Sequence, residues 1–289
     1  MIICDKISPL RSEIRSMRTA RTMGALAARV GLVPTMGFLH EGHASLIQKA
    51  RAENEIVVVS IFINPLQFGP NEDLNRYPRS PEQDQALCEQ LGVDLIFTPN
   101  IEEMYGTEKV FTRVHVELLG NYLCGASRPG HFDGVCMVVS KLFHIVEPDA
   151  TYFGEKDVQQ LRIVEQMVKD LSMPIEIVSC ATVREEDGLA KSSRNAYLSP
   201  TQRKIAPEIF RTLQTIAARI HSGERNLMQL QSDAIHHLNH LPECKVDYLL
   251  FVDLQTLTPV DQLDANHSIR LAVAVYVGAT RLIDNLLIT

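Results

Sequence analysis

Ten consecutive residues, Glu55 to Asn64 (EIVVVSIFIN), are strongly β-branched and apolar. Such a run reads as a strand covered on both faces, because a strand with one wet face would alternate apolar and polar residues. The segments around it alternate in kind. Arg29 to Thr35 (RVGLVPT) is strand-like, and GHASLIQKARAE is helix-like, with Leu46, Ile47 and Ala50 on one face. Ser80-Pro81 opens a helix that Gly92 stops. VDLIFTP, ATYFG and IEIVSC (Ile175 to Cys180) follow as strands, interleaved with the helices GVCMVVSKLFHIV and KDVQQLRIVEQMVKDL. Strand–helix alternation calls for parallel strands joined by right-handed crossovers, which makes a doubly wound, Rossmann-like α/β sheet.

The alternation ends near Val183. VREEDGLAKSSRNAYL is polar and loop-like, and Ser199-Pro200-Thr201-Gln202 has the form of a capping box. Helical stretches come next, then the strand-like KVDYLLFVD, SIRLAVAVYVG and TRLIDNLLI. The expectation is a Rossmann-like domain over residues 1–182 and a smaller α+β domain over residues 183–289. At 289 residues the length suits one large and one small domain.

The net charge of −7 argues against a nucleic-acid scaffold. No apolar run is long enough to cross a membrane. The start, MIICDKISPLRSEIRSMRTAR, has charges where a signal peptide needs its apolar stretch, so a cytoplasmic address is expected. Cys4, Cys88, Cys124, Cys136, Cys180 and Cys244 are scattered without a C-x-x-C pair and read as reduced thiols.

In a doubly wound sheet, ligands bind at the carboxyl ends of the strands. Three unusual polar stretches fall there: TMGFLHEGH, NPLQFGPNEDLNRYP and GEKD. In the first, His40 and His43 admit three readings: a metal site, a phosphate site, or plain surface histidines. The zinc motif H-E-x-x-H has one residue more between its histidines, and Gly42 is a poor choice inside a ligand helix. A helix N-terminus, by contrast, offers unpaired N–H groups and partial positive charge, and Gly37 and Gly42 let backbone approach a ligand. Lys156 and Asp157 also open a helix, where a lysine suits a phosphate and an aspartate can cap or meet a ribose hydroxyl. Lys191, Ser192, Ser193 and Arg194 gather hydroxyls, amides and a guanidinium fit for a polyphosphate. Gln67 and Gln160 are amides able to hold hydroxyl or carboxylate groups of a small substrate.

The ordered stretches PTMGFLHEGH, SIFINPLQFGPNEDLNRYPR, RPGHFDGV, FGEKDVQQL and VREEDGLAKSSRNAYLSP, through the terminal GATRLIDN, resemble the pantothenate synthetase (pantoate–β-alanine ligase) family. That family lies in the nucleotidyltransferase superfamily with a HIGH-type motif and a KMSKS-like loop, which HEGH and KSSR resemble. The resemblance implies a cytoplasmic homodimeric ligase of pantothenate biosynthesis. It would condense (R)-pantoate with β-alanine, using ATP and Mg²⁺, through a pantoyl adenylate that is not covalently bound.

By matching position, the resemblance puts Met36, Gly37, Phe38, Leu39, His40, Glu41, Gly42 and His43 along the ATP. His40 and His43 stand near the phosphates, and His43 matches the proton donor. Gly154, Glu155, Lys156 and Asp157 also bind ATP, Lys156 at the α-phosphate and Asp157 toward the ribose. Val183 touches the nucleotide, and Lys191 to Arg194 close over the outer phosphates. His43, His40, Lys156 and Arg194 are therefore the catalytic candidates. Gln67 would meet pantoate and β-alanine, and Gln160 pantoate. Lys191 departs from the family, where an apolar residue is usual. Mg²⁺ would ride on the ATP oxygens, with Asp84 as an outer-sphere partner.

This chemistry joins two anions, so it needs positive charge and positioning rather than a Ser or Cys nucleophile. The adenylate is labile to water, which casts the loop around DGLAKSSRN as a lid. Two rivals remain: a nucleotidyltransferase acting on a phosphorylated cofactor precursor, and a non-catalytic ATP sensor.

Overall fold

The computed structural model describes residues 1–22, 27–70, 72–108, 110–264 and 268–288. Two compact units emerge. The first comprises Met1–Val116, Gly130–Glu155 and Ile163–Ala181, and the second Glu117–Pro129, Lys156–Arg162 and Thr182–Thr289.

The first unit is built on a six-stranded sheet among the described residues. Its strands are β1 (Ile2–Cys4), β2 (Val30–Thr35), β3 (Ile56–Ile61), β4 (Leu95–Phe97), β5 (Ala150–Gly154) and β6 (Glu176–Cys180), in the order β1-β4-β3-β2-β5-β6. Every pairing is parallel. In β3, Ile56, Val57, Val58 and Val59 are wholly buried, as a strand covered on both faces must be. Helices Glu41–Glu53 and Pro81–Gln90 contribute Leu46, Ile47, Ala50 and Cys88 to a core with Val33, Val57, Val59 and Ile96.

Register fixes where a ligand can sit. Thr35 pairs with Ile61, and Ser60 with Phe97, so the carboxyl ends of β2, β3 and β4 open on one edge. The chain winds from β2 outward to β3 and β4, then returns to place β5 on the other side of β2. The reversal at β2/β5 is the switch point at which such sheets form a crevice. No helix among the described residues is long and apolar enough to cross a membrane.

The second unit carries the antiparallel sheet β7 (Cys244–Asp253), β8 (Ile269–Val277) and β9 (Thr280–Leu287), in that order. Helices Glu208–His221 and Leu227–His240 bury Leu213, Ile216, Leu230 and Leu238 with Phe251, Leu271 and Val273 of the sheet. Ser199 and Gln202 form the expected reciprocal cap on helix Pro200–Ile205.

Candidate active site

In the first unit the segment after β2 is shaped by its backbone. Gly37 has φ 84° and Phe38 φ 52°, two left-handed residues in a row. For phenylalanine that region costs about 1–2 kcal/mol, so something must hold it. Asp84 does so: its Oδ2 accepts from the Phe38 amide at 2.8 Å and its Oδ1 from the Leu39 amide at 2.6 Å. Thr35 Oγ1 accepts from Gly37 N at 3.2 Å and donates to the Ser60 carbonyl at 2.8 Å, which fastens the segment to β3. The Asp84 carboxyl is raised above the ordinary carboxylate range by burial, against the pull of the two amides.

The segment ends in helix Glu41–Glu53, thirteen residues long. Its cap is made by two imidazoles. His40 Nδ1 accepts from Gly42 N at 3.1 Å, and His43 Nδ1 accepts from His40 N at 3.3 Å. A ring nitrogen that accepts carries no proton, so each neutral ring holds its proton on Nε2. The pair, with ring centroids 4.1 Å apart, thus presents donors, not metal-binding lone pairs, at the positive end of a helix.

The loop after β3 places Gln67 in the turn Pro65–Gln67. Its Oε1 accepts from Asn64 Nδ2 at 3.0 Å, and its Nε2 lies 3.2 Å from Met36 Sδ, next to the histidine segment. Asn64 is held by Tyr105, whose hydroxyl donates to Asn64 Oδ1 at 2.8 Å. Burial pushes the Tyr105 phenol well above its usual range, so it stays a donor. His131 Nδ1 donates to the Gln67 carbonyl at 2.7 Å. A cavity of about 730 Å³ in this unit is lined by Met36, Gly37, Phe38, Phe62 and Asp84, among others.

Lys156, of the second unit, lies in the 3-10 turn Glu155–Asp157, ahead of helix Val158–Asp170. The Lys156 side chain is half-buried. Desolvation lowers its pKa from the ordinary lysine value; Asp157 works against that shift, and Arg194 adds to it. Asn285 Nδ2 donates to the Lys156 carbonyl at 3.0 Å. Its neighbour Asp284 receives a two-pronged bond from Arg184, at 2.6 and 2.9 Å. The segment from Val183 folds back on itself: Lys191 N donates to the Val183 carbonyl at 2.9 Å, and Ser192 Oγ accepts from Arg194 N at 3.3 Å. The Lys191 amine sits 2.7 Å from Glu185. Gln160 is half-buried beside Gln159, whose amide donates to the Leu119 and Tyr122 carbonyls.

The first unit therefore brings Met36 to His43 together with Gln67, and the second brings Lys156 together with Arg194. Asp84, Asn64, Tyr105, His131 and Asn285 support these groups without having been singled out in that role from sequence. His131 lies in RPGHFDGV and Asn285 in GATRLIDN, so the motifs were visible but not their purpose. Asp84, read as an ion's outer-sphere partner, has both oxygens turned to backbone amides. Burial pushes the thiols of Cys88 and Cys136 up to about 12, which leaves no thiolate nucleophile there.

The family model described as pantoate-beta-alanine ligase matches residues 3–287. A pantothenate synthetase of Clostridium botulinum (strain ATCC 19397 / Type A) is 52% identical over 256 residues, 89% of this chain and 90% of its own. One from Thermotoga neapolitana is 51% identical over the same shares of the two chains. A crystal structure of pantothenate synthetase from Thermus thermophilus is similar at a TM-score of 0.90 and 46% identity, over 100% of this chain and 99% of that one. A pantoate–β-alanine ligase from Francisella tularensis, complexed with beta-gamma ATP and β-alanine, has a TM-score of 0.80 at 36% identity, over 100% and 98%.

Proposed function

This chain belongs to the pantoate–β-alanine ligase family and uses ATP to join pantoate to β-alanine, and from that premise we propose that it works through a pantoyl adenylate held without a covalent link. An oxygen of the (R)-pantoate carboxylate attacks the α-phosphorus of ATP, and pyrophosphate leaves. The β-alanine amine then attacks the acyl carbon, forming the amide as AMP departs.

The first step brings a carboxylate against a triphosphate, so the protein must offset negative charge and fix the geometry. The imidazole cap on helix Glu41–Glu53 carries this reading. With both Nδ1 atoms accepting backbone amides, the ring protons of His40 and His43 lie on Nε2, the tautomer that can donate to a phosphate oxygen. We assign His43 the proton donation that eases pyrophosphate departure. Met36 to Glu41 and Gly42 line the nucleotide, and Gln67 holds pantoate and then β-alanine.

Gly154 and Glu155, of the first unit, bind ATP; in the second unit Lys156 meets the α-phosphate and Asp157 the ribose. Val183 touches the nucleotide. Ser192, Ser193 and Arg194 hold the outer phosphates, with the Lys191 backbone beside them. Gln160 reads pantoate. Partial burial works against the Lys156 charge, and an anion at hand offsets that cost.

These donors fit phosphate oxygens rather than a bare cation. Mg²⁺ would be carried by the ATP oxygens and would offset the charge of the triphosphate. The protein acts as a homodimer in the cytoplasm; all six cysteines are free thiols, in keeping with a reducing compartment.

Incubation with ATP, Mg²⁺ and pantoate, without β-alanine, is expected to release pyrophosphate and leave a tightly held acyl adenylate. Adding β-alanine then releases AMP. Pyrophosphate that appears only once β-alanine is present rules out the separate adenylate.

A further inference from the structure

We propose that Asp84 is a positioning residue for adenylation: its carboxylate clasps the Phe38 and Leu39 amides and so sets where His40 and His43 stand. The inference rests on the role given above to the two histidines.

The clasp is two-handed, one carboxylate oxygen to each amide, at 2.8 and 2.6 Å. The amides belong to the two residues directly ahead of the His40 cap. The left-handed backbone at Gly37 and Phe38 goes with two successive amides, of Phe38 and Leu39, directed at one place and forming a small anion-binding hollow. Asp84 fills that hollow from within the protein, 3% exposed. Gly37 makes room for it, since a Cβ there would lie 3.1 Å from Asp84 Oδ2 and 2.9 Å from Ile61 Cγ2. The carboxylate is anchored in turn by the first turn of helix Pro81–Gln90, where Asp84 N donates to the Ser80 carbonyl at 2.9 Å.

Hydrogen-bond donors work only when aimed at the position the charge will occupy, and a shift of about 1 Å costs on the order of 10²-fold in rate. Without the clasp the strained pair relaxes toward ordinary φ and carries the histidine cap with it. A carboxylate that served the magnesium instead would show itself in the magnesium requirement, and the two roles part there.

The test compares Asp84→Asn and Asp84→Ala with wild type by pyrophosphate release, together with the amide proton resonances of Phe38 and Leu39. Asparagine keeps one acceptor and alanine none. The expected kcat losses are therefore graded, roughly 10-fold and roughly 10²–10³-fold. The magnesium concentration for half-maximal rate stays within about twofold, and the two resonances move upfield. A folded Asp84→Ala protein with kcat near wild type overturns the proposal. So does a raised magnesium requirement with kcat retained. Should the alanine variant not fold, amide exchange in wild type decides: Phe38 and Leu39 are expected to be as protected as the β2 amides, and fast exchange overturns the clasp. Wild-type turnover reports separately on the ligase reading, so the two can fail independently.

Discussion

A Cβ on Gly134 would lie 2.2 Å from the carbonyl oxygen of Leu66, so the helix and the turn that carries Gln67 meet backbone to backbone. The same helix, His131–Val146, grips that turn at two further points. His131 donates to the Gln67 carbonyl at 2.7 Å, and the Gly134 carbonyl accepts from Asn64 Nδ2 at 3.0 Å. The position of the Gln67 amide is therefore set by a glycine far from it in sequence.

Gly134→Ala is accordingly expected to push the turn away. Overpacking of this kind costs about 1–3 kcal/mol of stability, measurable by urea unfolding. The KM values for pantoate and β-alanine should rise more than that for ATP. A defect confined to ATP would mean that Gln67 does not hold the acids.

Lys156→Met separates stability from activity. Burial works against the charged form of this lysine, so an apolar side chain of similar length removes an unfavourable term from folding. The melting temperature should equal or exceed that of wild type, while pyrophosphate release falls by roughly 10²–10³. A variant that melts higher and turns over normally would take Lys156 out of the chemistry.

The sheet was legible because its middle is made of runs such as Glu55 to Asn64, whose composition alone requires cover on both faces. β1 was not, since three residues at an edge carry no period. Nor was helix Ile7–Arg21, which buries just Leu10 and Ile14. For the site, the segment Met36 to His43 stood out because glycines and histidines are unusual where a strand gives way to a helix. The groups that hold it did not. Asp84 reaches Phe38 across 46 positions, and His131 reaches Gln67 across 64, and nothing local marks either partner. Sequence shows which groups are chemically able; the tertiary fold decides which of them serve the backbone.

Asp94 provides a test of acid stability. Burial alone would raise its pKa, but Arg21, the Val57 amide and Arg51 together bring it below the ordinary value. Its oxygens lie 2.7 Å from each guanidinium and 2.8 Å from the amide. A carboxyl lowered in the folded state adds stability above its unfolded pKa of about 4, and that stability is lost as pH falls toward the folded value. Asp94→Asn should therefore cost about 2–3 kcal/mol at pH 7, with the gap to wild type closing below about pH 4. A gap that does not change with pH would show that the ion pairs contribute nothing.

His40 serves two ends that one substitution can divide. As the cap of helix Glu41–Glu53 it needs an acceptor for Gly42 N, and asparagine is among the best residues for that position. His40→Asn should thus keep the helix and the melting temperature. Its short amide cannot place a donor where the imidazole Nε2–H stands, so the charge that develops on the leaving phosphate loses a partner. One such loss costs about 10²–10³ in kcat. Alanine at the same position should lose both, with a further drop of about 1 kcal/mol in stability from the missing cap. Calorimetry and pyrophosphate release on the two variants check the division. An asparagine variant as active as wild type would reduce His40 to a cap and leave His43 as the imidazole of the reaction.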